Sequence, residues 1–181
     1  MKRVIIAISL TLIVAFLSGC QSAAIKPVAG SDSSVAYGNI TMPGNKVITR
    51  VMLYKVGEVY APPFKSSPQS HTYTNGNFFF ENLTPGKYYL VSFMSGNAVF
   101  YFNFQGMSDE EFLKEVAVDI KPGTVNYLGS YQVTGIEENL FKTDTFDIKR
   151  SKKPNQTTIL KHLKDVTKGT GWDKRFSRAM N

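Results

Sequence analysis

The feature that most constrains the fold is the stretch from Tyr73 to Leu90, where an aromatic run is closed at both ends by turn residues. Asn75-Gly76 suits a tight hairpin, because both residues tolerate positive φ. In the strand that follows, Phe78 and Phe80 share one face. Pro85-Gly86 fits a type II turn, with proline presetting φ and glycine accepting the left-handed position. Tyr88 and Leu90 share a face of the next strand, which Val91 to Phe93 prolong. Short aromatic and β-branched segments punctuated this way read as sheet.

The rest of the chain repeats the pattern. Val35 to Met42 reads as a strand, followed by a turn at Pro43-Gly44-Asn45. Val47 to Val56 alternates, with Val47, Thr49, Val51 and Leu53 on one side and Ile48, Arg50, Met52 and Tyr54 on the other. Pro62-Pro63 and Ser66-Ser67-Pro68 make Ala61 to Ser70 a loop. After the Ser95-Gly96-Asn97 turn, Ala98 to Phe104 is an aromatic strand with Phe100, Phe102 and Phe104 on one face. That face reads as core, with a partner-binding surface as the alternative. Ser108 and Glu111 form a capping box for a short helix. Its three acidic residues lack calcium-loop spacing and suit the helix dipole. Ala117 to Ile120, Val125 to Val133 and Phe141 to Ile148 bring the total to about eight strands, enough for a two-layer sandwich.

Leu83-Thr84-Pro85-Gly86-Lys87-Tyr88-Tyr89-Leu90, behind its Asn-Gly turn and aromatic strand, resembles the signature of small transthyretin-like (prealbumin-like) β-sandwiches. Carboxypeptidase regulatory-like domains and Cna protein B-type repeats belong to that group. The expected fold is therefore mainly β: a transthyretin-like antiparallel β-sandwich over residues 35–149, with a short inserted helix and C-terminal amphipathic helices. The resemblance implies a non-catalytic module for adhesion, scaffolding or accessory packing. The Lys, Asn and acidic residue of the Cna-type isopeptide crosslink find no match here. Lys121 to Gly129 is similar to a phrase that recurs in bacterial lipoproteins with such sandwiches.

The chain begins with Lys2-Arg3 and an apolar run from Val4 to Leu17, shorter than the roughly 20 residues of a comfortable membrane span. Basic, then apolar, then small residues is the order of a secretory signal peptide. Leu17-Ser18-Gly19-Cys20 resembles the lipobox of bacterial lipoproteins, and Cys20 is the single cysteine of the chain. The resemblance implies removal of residues 1–19 and acylation of Cys20, which would hold the protein on a lipid bilayer. An ordinary signal peptide cut elsewhere is the alternative. Residues 20–34, rich in Ser, Ala and Gly, read as a lipidated flexible tether. In lipoproteins of enteric-type bacteria Asp directly after the cysteine favours retention in the inner membrane; with Gln21 there, the resemblance implies the outer membrane, with the body facing the periplasm. With its thiol acylated the chain has no disulfide framework, so its stability must come from packing.

The net charge of +7 is unevenly distributed. From Cys20 to Phe141 there are eight basic and ten acidic residues, and from Lys142 to Asn181 eleven basic against four acidic. Lys149 to Pro154 reads as a basic linker opening an extension over residues 150–181. Thr157 or Thr158 could cap a helix with Ile159, Leu160, Leu163 and Val166 on one face and Lys161, Lys164, Asp165 and Lys168 mainly on the other. Gly169 and Gly171 end it. Trp172, Phe176 and Met180 follow at helical spacing, against Lys174, Arg175 and Arg178. These helices either cover the sandwich or contact a membrane or partner, and in the second case Trp172, Phe176, Lys174, Arg175 and Arg178 are the contact residues. A basic region in an envelope protein fits another envelope protein, lipopolysaccharide or peptidoglycan, or is simply a solvated tail; a nucleic-acid partner is not expected.

No catalytic, cofactor-binding or metal-ligating set is expected. His71 and His162 lack metal-ligand spacing, and phosphate-loop, dinucleotide and nucleophile-elbow motifs are missing. Ser70-His71 as neighbours do not make a triad. The leading expectation is a non-enzymatic, lipid-anchored envelope module for binding or structure. An adaptor in a secretion or transport assembly comes next, and a cell-wall or lipid hydrolase last.

Overall fold

The computed structural model describes residues 24–44, 46–58, 67–102, 109–137 and 145–181. The signal segment, Cys20, Pro62-Pro63, Phe104, Ser108 and residues 138–144 lie outside them. The side chains of residues 109, 112, 113, 115, 137 and 145 do too.

Among the described residues, nine strands form two sheets. They are β1 (Ser34–Thr41), β2 (Arg50–Lys55), β3 (Ser70–Thr72), β4 (Asn77–Leu83), β5 (Gly86–Ser95), β6 (Ala98–Tyr101), β7 (Ala117–Ile120), β8 (Val125–Glu137) and β9 (Thr145–Arg150). The first sheet has the order β3-β4-β1-β8-β9, and the second has β2-β5-β6 with β7 also paired to β5. β2 lies along one edge of β5, while β6 and β7 share the other, pairing with Ser92 to Ser95 and Gly86 to Tyr89 respectively.

Alternation explains why the sheets face each other. Ala36, Ile40, Phe78, Phe80, Tyr131 and Val133 of the first sheet meet Val51, Leu53, Tyr88, Leu90, Phe93 and Phe100 of the second in one buried cluster. The rings of Phe93 and Phe100 stack at 5.1 Å, and Phe146 stands perpendicular to Phe100 at the same distance. Phe100 and Phe102 are 3% and 6% exposed, so that side of the aromatic strand is core; Tyr101, on the other side, is 53% exposed. Gly38 makes the centre of the first sheet possible. A Cβ there would lie 2.6 Å from both the Gly129 carbonyl oxygen and the Phe78 ring.

Several expectations change. The sandwich is mixed rather than antiparallel, because β1 pairs with β8 in parallel. The chain leaves the first sheet after β4, builds β5 to β7 in the second, and returns beside β1 in the same direction; only such a long crossover permits a parallel pair. Pro85-Gly86 does not make the expected type II turn: Gly86 has φ +150° rather than roughly +80°, and the chain passes there from β4 in one sheet to β5 in the other. The expected loop up to Ser70 ends in a short strand, β3, which forms the Asn75-Gly76 hairpin with β4. Lys149 and Arg150 belong to β9 and pair with Gln132 and Tyr131, so no linker begins there.

Among the described residues, three helices follow the expected order: α1 (Asp109–Val116), α2 (Gln156–Val166) and α3 (Trp172–Arg178). The α2 cap is Asn155 rather than Thr157 or Thr158: its side-chain oxygen accepts from the Thr158 N–H at 2.9 Å. Ile159, Leu160 and Leu163 are buried, whereas Val166 is 36% exposed. Thr167 completes the buried face instead, its hydroxyl donating to the Leu163 carbonyl at 2.7 Å.

Helices α2 and α3 make a second core on the outer face of the first sheet. Val35, Tyr37 and Phe79 point outward and are covered by Ile159, Leu160, Leu163, Trp172 and Phe176, with Ile25 and Val28 packed alongside.

Candidate functional site

The polar groups with the most structure around them lie where the N-terminal segment crosses the first sheet. Residues from Ile25 on, expected as free tether, are bound to the body. The Lys26 N–H donates to Glu81 Oε2 at 2.8 Å, and the Ala29 N–H to Asn82 Oδ1 at 2.9 Å. Asn82 Nδ2 returns a bond to the Pro27 carbonyl at 3.1 Å. From the helical side, Trp172 Nε1 donates to the Lys26 carbonyl at 2.9 Å, and the Val28 N–H donates to the Thr170 carbonyl at 3.2 Å. The Arg175 guanidinium grips the turn behind it. It donates to the carbonyls of Ser33, Gly30 and Ser31, and lies over the Trp172 ring at 5.3 Å.

Beside this segment is a cleft of about 520 Å³, whose lining includes Lys26, Ser70, His71, Glu81 and Thr84. His71 Nε2 sits 3.3 Å from Glu81 Oε1, with both side chains 9% exposed, and the imidazole stacks on Phe79 at 4.7 Å. A histidine against a buried carboxylate is one half of a general-base arrangement. A nucleophile is not delivered to it by its sequence neighbour. Ser70 precedes His71 in a strand and points to the opposite face, where its hydroxyl accepts from the Val51 N–H at 2.8 Å. Glu81 is held on both oxygens, by His71 and by the Lys26 N–H, so the pair ties the N-terminal segment to β3 and β4.

Three asparagines extend the polar network to α2. Asn39 Nδ2 donates to the Asn75 carbonyl at 3.0 Å and to Asn77 Oδ1 at 2.8 Å, which fixes both amides. Asn77 Nδ2 then faces His162 Nδ1 at 3.1 Å. An amide nitrogen only donates, so Nδ1 accepts and the imidazole is neutral with its proton on Nε2. Burial accordingly pushes the His162 pKa down, with the Asp165 carboxylate opposing. Tyr73, edge-on to His162 at 4.8 Å, has its phenol raised to about 12 by burial and then by Glu81.

The expected contact residues separate into two groups. Trp172 and Phe176 are fully buried and offer no surface, and Arg175 is engaged with the Gly30 to Ser33 carbonyls. Lys174 and Arg178 are exposed, as are Lys161 and Lys164 on α2 and Lys168 in the turn after it. Cys20, Leu17, Ser18 and Gly19 lie outside the described residues. Among the described residues, no three His, Cys, Asp or Glu side chains converge as metal ligands, and no helix is long and apolar enough to cross a membrane.

The docking of the N-terminal segment has a sequence signal. Phe78-Phe79-Phe80 is apolar on both faces of one strand, as is Val35-Ala36-Tyr37, and a strand of that kind needs cover on both sides. Nothing comparable marks Glu81, Asn82 and Arg175 as the groups that hold it. No known protein-family model and no curated protein sequence matches the chain.

Proposed function

We propose that the protein is a lipid-anchored, non-catalytic binding and structural module of a bacterial outer membrane, cut after Gly19, acylated on Cys20 and facing the periplasm. The observation that carries this reading is the docked N-terminal segment. The single cysteine stands five residues ahead of Ile25, which already packs on the body. An extended chain reaches at most about 3.6 Å per residue, so an anchor at Cys20 would hold the body within about 18 Å of its lipid. The His71–Glu81 pair and Asn82 serve this docking, which favours a structural role over catalysis at the cleft.

The two-sheet sandwich is further proposed to be of the transthyretin-like type. The Leu83 to Leu90 motif supports this: it carries the chain from one sheet to the other and places Tyr88 and Leu90 in the shared core.

The test is metabolic labelling with an alkyne fatty acid in cells making the full chain or its Cys20→Ala variant, followed by separation of inner and outer membranes. Label on the native chain alone, in the outer-membrane fraction, is the expected result. Label retained by Cys20→Ala, or native protein without label, would sink the anchoring. Crosslinking in the same fractions reads whether another envelope protein, lipopolysaccharide or peptidoglycan is the partner.

A further inference from the structure

We infer that the outer face of the α2–α3 layer is a docking surface for anionic phospholipid head groups, those of the bilayer that holds the protein's own anchor. The inference rests on the anchoring proposed above and says which side of the body meets the membrane.

Two independent observations converge on this face. The first is where the N-terminal chain leaves the body. Ile25 and Val28 pack in the same cluster as Ile159, Leu163, Trp172 and Phe176, so the segment runs beside the helical layer; Ala24, just ahead of them, lines the cleft with Glu81 and Tyr88. A helix with its side chains is about 10 Å across, and two packed sheets add about 10 Å more. The short chain ahead of Ile25 can span the helical layer. An anchor at Cys20 keeps the bilayer within about 18 Å of that layer.

The second observation is charge. Each helix buries one side and turns the other outward. Lys161, Lys164 and Lys168 of α2 and its following turn, with Lys174 and Arg178 of α3, are all exposed. Among the side chains of these elements one exposed carboxylate, Asp165, stands against them, and Asp173 is half-buried. Trp172 and Phe176 face the sheet, so the layer offers the bilayer cations rather than an apolar wedge. The chemistry is that of a polybasic surface resting on anionic head groups, an attraction that fades within a Debye length and with added salt. The anchor supplies the proximity on which such a short-range interaction depends.

The test uses the purified full-length protein in vesicles, footprinted with a water-soluble amine reagent and read by mass spectrometry. Lys161, Lys164, Lys168 and Lys174 report on the surface. Lys87, exposed on the second sheet, is the control. In vesicles of phosphatidylglycerol and phosphatidylcholine, labelling of the four lysines should fall several-fold relative to detergent micelles while Lys87 is unchanged. In phosphatidylcholine alone, or at high salt, the protection should disappear. Lys161→Glu, Lys168→Glu and Lys174→Glu together, all at exposed positions, should abolish protection of Lys164.

Equal labelling of Lys164 and Lys87 in anionic vesicles overturns the docking, as does undiminished protection in phosphatidylcholine. The mass of the N-terminal peptide from the same sample reads acylation of Cys20 separately. An acylated protein with unprotected lysines leaves the anchor standing and removes the docking. An unacylated protein with protected lysines does the reverse.

Discussion

The inter-sheet core and the outer core are built in opposite ways from the same strands. The inter-sheet core takes every second residue from successive strands, so near neighbours in sequence such as Phe78 and Phe80, or Tyr88 and Leu90, supply it. The outer core is closed by the segment just ahead of β1 and by the helices after β9. Its hydrogen bonds join Trp172 to Lys26 and Arg175 to Gly30, separations of 146 and 145 residues. The first core depends on local alternation and the second on distant segments meeting over Val35, Tyr37 and Phe79. The segment from Ile25 to Ser33 and the basic helices thus form one layer rather than two independent appendages.

The sharpest way to break this contrast is Trp172→Ala. Removing a fully buried indole that also donates to Lys26 should cost about 3–5 kcal/mol in urea unfolding. Hydrogen exchange should then rise in residues 25–33 and 156–178 while β5 amides keep their protection. If β5 exchanges at the same free energy, the two cores are a single cooperative unit and the distinction fails.

Arg175→Ala sharpens it from the other side. It removes a charged donor from three backbone carbonyls and should cost about 1.5–3 kcal/mol. Arg175→Lys keeps the charge without the fork, and should recover only part of that stability. A lysine variant that melts with the native protein would show that charge alone holds the segment.

Asn155→Ala removes the α2 cap and should cost about 1 kcal/mol, read as a lower thermal midpoint. An unchanged midpoint would mean that packing, not capping, sets where α2 begins.

The smallest expected effect is a pH dependence. The folded-state pKa of His162 lies below its unfolded value, so the unfolded chain binds the extra proton first. Its contribution is complete above the ordinary histidine value and is lost as pH falls through that value toward the folded one. Protonation would also set two donors, His162 Nδ1 and Asn77 Nδ2, against each other. The native protein should therefore lose more stability between pH 7.5 and 5.5 than His162→Gln does. Equal slopes in urea titrations at the two pH values would remove His162 from the account.

The two cores also differ in how far the sequence discloses them. Strand positions from Val35 to Val133 follow from period-two patterns and turn residues, and the structure places β1, β2 and β4 to β8 close to those segments. Pairing order is less legible, because alternation says which face a residue takes and not which strand lies beside it. The parallel β1–β8 pair and the passage between sheets at Thr84-Pro85 escape a local reading for that reason. The candidate site is less legible still. His71 and Glu81 meet because β3 and β4 pair, and the Lys26 N–H joins them only once a segment without apolar periodicity has docked. Spacing rules detect side chains brought together by one helix or hairpin; backbone groups recruited across 55 residues leave no such trace.

The parallel pairing of β1 with β8 also bears on the order in which the chain can fold. Val35 pairs with Val125, ninety residues later, and β1 has β8 as one of its two neighbours at the centre of the sheet. A chain emerging N-terminus first leaves one edge of β1 unsatisfied until most of the sequence has followed. Contacts of such long range place a domain among slow folders, on the order of milliseconds to seconds. Nascent chains ending before Val125 should therefore stay protease-sensitive, with β1 an open template for intermolecular pairing. Limited proteolysis of ribosome-stalled chains reads this directly, and resistance in a chain stalled before β8 would show that β4 alone suffices to order β1.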